Sequence, residues 1–220
     1  MLVAALAGVA LTVAPWGVDE SSADAMVRHT AAAMRTALAD TGRATTSVTD
    51  VDSGRSQVTL FEFAGDDERY QPAGGGYDDR IVDGDNYIRG FDDTRPQQWF
   101  RVLCNDVARS SADPRDLAGA LTPDADFEVF GQETIGGVPT THLRAGDPAA
   151  VSAEVVGENA PGADVVALDI WVDGDDITRR LDAEVDGTPE STHAEWSVQF
   201  SDLGGDVAIT APAKFEDKTC

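Results

Sequence analysis

The stretch VVALDIWVDGDDITRRLDAEVDG, residues 165 to 187, alternates apolar and polar side chains on both sides of a single break. Leu168, Ile170 and Val172 fall on one side of an extended chain, and Asp169, Trp171 and Asp173 on the other. Past the break, Ile177, Leu181, Ala183 and Val185 oppose Thr178, Arg180, Asp182, Glu184 and Asp186. A period of two belongs to a strand and not to a helix. Asp173-Gly174 offers the positive φ of a tight turn, so the spacing predicts a hairpin with one dry and one wet face. The dry face needs a cover, and the rest of the chain has to supply it.

The same texture recurs in ATTSVTDVD (44–52) and QVTLFEFAG (57–65), joined at Asp52-Ser53-Gly54, and in RIVDGDNYIRGF (80–91), which repeats the Asp-Gly signal. PQQWFRV (96–102), DFEVFGQETI (126–135), VPTTHLRA (138–145), HAEWSVQFSDL (193–203) and VAITAPA (207–213) continue it. In 193–203, Ala194, Trp196, Val198 and Phe200 share a face. One Ala-rich segment, 23–42, reads as a helix with Met26, Val27, Met34 and Leu38 near one stripe and Gly42 as its stop. SADPRDLAGAL (111–121), with Pro114 in its first turn, reads as partly helical. The expected fold is α+β: a strongly curved antiparallel sheet of about 9–11 strands, a half-barrel, with helices covering the concave face.

Forty acidic against sixteen basic residues give a net charge of −24, which repels nucleic acid phosphates. The apolar run at residues 1–17 is short for a membrane span and matches a signal peptide or N-terminal anchor, followed by a linker at 18–22 and one domain at 23–220. The two cysteines, Cys104 and Cys220, form an even set that an exported protein can bridge. Such a bridge closes a loop of about a hundred residues and contributes on the order of 4 kcal/mol.

No G-x-S-x-G, H-E-x-x-H, C-x-x-C, Walker or dinucleotide fingerprint is present. The three histidines lie far apart without ligand spacing, and His142 reads as a hydrogen-bonded strand residue. The expectation is a non-enzyme with no catalytic residues, no metal and no cofactor. The aromatic residues Trp99, Trp171, Trp196, Phe61, Phe63, Phe127, Phe130 and Phe200 either fill a core or line an apolar pocket.

The order of one Ala-rich helix, a β meander, the WFRV strand, IGGVPTTHLRA, DIWVDGDDITRRL and SDLGGDVAITAPA resembles the actinobacterial LppX/LprG-type lipoproteins over about residues 23 to 213. That resemblance implies a LolA-like half-barrel with a cavity that carries lipid or lipoprotein acyl chains outside the cytoplasm, in secreted or envelope-associated form. The family's lipobox cysteine has no counterpart before Cys104. Alternation places Phe61, Phe127, Ile170, Leu181, Trp196 and Val198 on the apolar lining. The expected partners are a lipid or acylated ligand and a membrane surface, with the domain a monomer. The competing expectation is an envelope sensor or protein-interaction module with a filled interior and no lipid cargo.

Overall fold

The computed structural model describes residues 20–90, 94–103, 114–115, 121–151, 163–187 and 193–219. Helix α1 (Glu20–Leu38) leads into β1 (Thr41–Asp50), β2 (Arg55–Ala64), β3 (Asp67–Pro72), β4 (Asp78–Val82), β5 (Asp85–Arg89) and β6 (Trp99–Val102). A second run holds β7 (Phe127–Ile135), β8 (Val138–Ala145), β9 (Asp164–Asp173), β10 (Thr178–Asp186) and β11 (His193–Ser201), and β12 (Glu216–Lys218) follows near the C-terminus. All twelve strands lie in one sheet ordered β12-β6-β5-β4-β3-β2-β1-β11-β10-β9-β8-β7. Two antiparallel meanders, β1–β6 and β7–β11, therefore meet along a seam between β1 and β11. Only β12 runs parallel to its neighbour, β6, among the described pairs.

Alternation sorts the two faces. Across the centre, Ile170, Leu181 and Val198 stand opposite one another on successive strands, and Phe200, Ala44, Phe61 and Tyr70 form the next row. These side chains are buried in one core cluster with Val27, Met34 and Leu38 of α1, so the helix packs on this inner face. Its buried positions, Ala23, Val27, Thr30, Met34 and Leu38, recur at helical spacing. The outer face carries the charged rows and is crossed by residues 207–209, whose Val207 and Ile209 bury Val82 and Tyr87 in a second small cluster.

Several local expectations change. The helix ends at Leu38, four residues before Gly42, which lies inside β1. Gly42 is needed there for close packing: a Cβ would stand 2.6 Å from Phe63 Cζ and 2.7 Å from Leu203 Cδ2. The 173–177 turn takes its positive φ at Asp176 and not at Gly174, because the Asp173 carboxylate accepts from Asp175 N at 2.9 Å and Ile177 N at 3.0 Å and wraps the loop around itself. A bulge between Thr178 and Arg180 then turns Thr178 inward, where it is fully buried. By contrast, Asp83-Gly84 has positive φ at both residues, as a two-residue hairpin turn requires. Strand β3 and strand β12 had no expected counterpart, whereas 207–213 is extended chain without a ladder. The sheet has twelve strands instead of nine to eleven and does not close into a barrel. Residues 1–17, most of the 111–121 segment and both cysteines lie outside the described residues.

Candidate functional site

The inner face is where the sequence placed a ligand. Phe61, Phe127, Ile170, Leu181 and Val198 are fully buried there, and Trp196 is half-buried against the same cluster. The structure thus brings all six onto one dry surface beneath α1, packed against each other and the helix. Thr30 and Thr178 are completely buried in this interior, and neither hydroxyl has a hydrogen-bond partner among the described residues. A dry hydroxyl without a partner costs on the order of 1–3 kcal/mol, so these two positions mark unused polar capacity next to the core.

A groove of about 730 Å³ opens beside this interior. Met26 of α1, Val138, Pro139 and Val172 supply its apolar surface, and Glu133, Asp173, Asp175, Asp176 and Arg179 its charged rim. It is formed where the β7–β8 and β9–β10 hairpins reach past the helix. Thr30 lies one helical turn beyond Met26 and Thr178 pairs with Val172, so both buried hydroxyls are neighbours in the fold of residues that line the groove. Asp173 is fixed: Arg179 Nε donates to its Oδ2 at 2.6 Å, and although burial pushes its carboxyl up, the backbone N–H of Ile177 and Arg179 hold it below the usual carboxylate range.

The outer face shows a different chemistry. His142 stacks on Trp171 with ring centroids 4.4 Å apart, and its Nε2 lies 2.7 Å from Asp169 Oδ1. Arg144 donates to the same carboxylate at 2.8 Å and lies over Phe130, while Arg180 lies over Trp171. Trp171 is therefore buried although it sits on the wet side of the alternation, a consequence of cation–π cover that periodicity alone does not show. Phe130 remains 63% exposed. A smaller hollow of about 330 Å³ on this face is lined largely by polar groups, among them Ser47, Thr49, Asp182, Glu184, Glu195 and Ser197. Neither hollow is a closed apolar cavity.

Toward β4, the buried Asp78 carboxylate binds Arg69 at 3.0 Å, Arg89 at 3.2 Å and Arg80 at 3.3 Å. Burial raises the Asp78 pKa, but hydrogen bonds from Arg69 and Arg80 outweigh it and leave the carboxyl below its ordinary range. Its neighbour Asp79 faces inward and is pushed up to about 6 by burial and by the charges of Asp78 and Glu68. Glu68, also inside, is bound by Arg115 and accepts from Tyr70 Oη at 3.0 Å. No sequence pattern pointed to this hub, because its carboxylate and arginines come from three strands, β3, β4 and β5.

Among the described residues no group of three or more His, Cys, Asp or Glu is placed to hold a metal ion, and no helix is long and apolar enough to cross a membrane. No protein-family model matches the sequence, and no curated protein matches it. Solved structures do match. The lipoprotein LppX of Mycobacterium tuberculosis superposes with a TM-score of 0.53 at 16% identity, over 87% of this chain and 100% of that chain. LprF of Mycobacterium bovis superposes with a TM-score of 0.51 at 14% identity, over 88% of this chain and 98% of that chain. The chain has the LppX-type fold, the fold that its sequence resemblance implied.

Proposed function

We propose that this protein is an extracytoplasmic lipid carrier that takes an acyl chain between α1 and the inner face of the sheet, with the groove beside Met26 as the mouth. The observation that carries this reading is the groove itself. Its volume of about 730 Å³ lies within the range of small-molecule sites, its apolar surface faces the dry interior, and its rim is polar. An alkyl chain gains about 0.8 kcal/mol per methylene removed from water and needs few directed contacts, which suits an interior whose lining is almost wholly apolar. This interior is packed, so entry requires α1 to move away from the sheet and the acyl chain to replace contacts that Met34 and Val27 make. The proposed lining is Phe61, Phe127, Ile170, Leu181, Trp196 and Val198, and no residue is assigned a catalytic role.

The second reading is an envelope interaction module with a filled interior. It is favoured by one observation: five of those six side chains are already fully buried in a continuous core. Brominated acyl chains separate the two. Bromine quenches indole fluorescence on contact, and Trp196 borders the interior while Trp171 and Trp99 lie on the outer face. Saturable quenching that disappears in Trp196→Phe supports the carrier; quenching that is absent, or unchanged in that variant, removes it.

A further inference from the structure

The rim of the groove is unevenly charged. Four carboxylates, Glu133, Asp173, Asp175 and Asp176, line it with one cation, Arg179. Arg179 is already engaged by Asp173, and among the described residues no Lys or Arg forms a salt bridge with Glu133, Asp175 or Asp176. Glu133 Oε1 lies 3.4 Å from His142 Nδ1, and its charge also acts on Arg180 without a direct salt bridge. Three carboxylates without a direct Lys or Arg salt bridge therefore stand around a groove that Met26, Val138 and Val172 also line.

Resting on the lipid-carrier reading, we infer that this groove selects its ligand by head-group charge, taking an amphiphile with a cationic, amine-bearing head and repelling one with an anionic head. Like charges are disfavoured and opposite charges favoured over the few ångströms of such a rim, and the effect weakens as salt shortens the screening length. Discrimination does not require a specific hydrogen bond. It requires only that the head stay at the rim while the tail enters, which the separation of charged rim from apolar floor enforces.

Three amphiphiles of equal chain length test the inference: dodecylamine, dodecyl maltoside and dodecanoate. Each is used below its micelle-forming concentration to displace a brominated chain from Trp196 in the full-length protein. At low salt, dodecylamine is expected to compete roughly tenfold better than dodecanoate, with the maltoside between them and the spread shrinking at high salt. The variant E133Q/D175N/D176N is expected to bring the three within about twofold, without weakening the uncharged maltoside. A control, D164N/E184Q/E195Q, removes the same number of charges away from the groove and is expected to keep the order. Equal competition by all three in wild type overturns the charge selection and leaves the carrier reading in place. An order that collapses as far in the control as in the groove variant also overturns it, since the overall negative charge then explains the preference. Failure of all three, the maltoside included, to displace the bound chain removes the carrier reading itself.

Discussion

Replacing Val198 with a larger or a smaller side chain separates a ligand's volume from the protein's own packing. Val198 is 1% exposed, lies between Leu181 of β10 and Thr46 of β1, and belongs to the core cluster shared with α1. In Val198→Trp the ring has no free space in this packed cluster, and overpacking of this kind costs about 1–3 kcal/mol. For a domain of this length each kcal/mol is worth about 2–4 °C, so the melting temperature should fall by roughly 2–12 °C. Val198→Ala removes volume instead and should cost a similar amount, about 1–3 kcal/mol, through lost burial and a small cavity. Bound lipid behaves differently. If the Trp ring bars two or three methylenes from the interior at about 0.8 kcal/mol each, affinity falls roughly 15- to 60-fold, whereas the Ala variant keeps it. Differential scanning calorimetry and extraction of copurified lipid, run on wild type and both variants, measure the two quantities side by side. If both variants melt earlier but carry as much lipid as wild type, the space belongs to the core and the carrier reading is refuted. A lipid loss equal in the two variants would mean that binding follows stability and not volume, which refutes it equally.

Removing the Asp78 carboxylate as Asp78→Ala leaves three arginines facing one another at a buried site, and chemical denaturation should report a loss of about 3–5 kcal/mol. Asp78 and Asp173 both have depressed pKa values in the folded state, so their contributions are present above the unfolded carboxylate range and are lost as pH falls through it; acid unfolding followed by tryptophan fluorescence should begin later in wild type than in Asp173→Asn. Asp79 has the opposite sign. Its pKa of about 6 lies above the unfolded value, so its own contribution to stability is greatest in acid and is lost as pH rises through 6, and Asp79→Asn should stabilise the protein by roughly 1–2 kcal/mol at pH 7 with no gain at pH 4. The expected Cys104–Cys220 disulfide is tested by labelling: denatured, unreduced protein should take up no thiol label, and two labels would exclude the bridge.

The strands legible in the sequence are those with a clean period of two and a conventional turn. Strand β11 shows the first, with Val198 and Phe200 buried, and the β4–β5 hairpin the second, with positive φ at Asp83-Gly84. Strand β3, DERYQP, carries no such pattern: its inward residues are Glu68 and Tyr70, and the burial of Glu68 depends on a salt bridge from Arg115 of a distant segment and a hydrogen bond from Tyr70, not on apolarity. The inward flip of Thr178 is equally hidden, since it arises from a bulge imposed by the capped 173–177 loop. For the candidate site, alternation placed the six interior residues on one face. It could not place the groove, because Met26 meets Val138 and Val172 only through the docking of α1. The Asp78 hub and the Phe130–His142–Trp171 stack were invisible for a related reason: both are made by cross-strand neighbours, and neighbour identity is a property of strand order.

The seam between β1 and β11 also orders events in time. Within each meander the described neighbours are successive strands, most of them joined by short loops, and such hairpins close within microseconds. The seam joins Thr46 to Val198 and Ala44 to Phe200, residues separated by most of the chain, so it is the slow, long-range step. During synthesis β1 emerges early and then waits with one edge unpaired until β11 follows. An exposed strand edge invites pairing with other chains. The composition of β1, TGRATTSVTD, is suited to that interval: it has threonine and serine where a central strand would ordinarily hold valine and isoleucine, and its central place in the finished sheet gives no hint of how long it stands at the margin of an unfinished one.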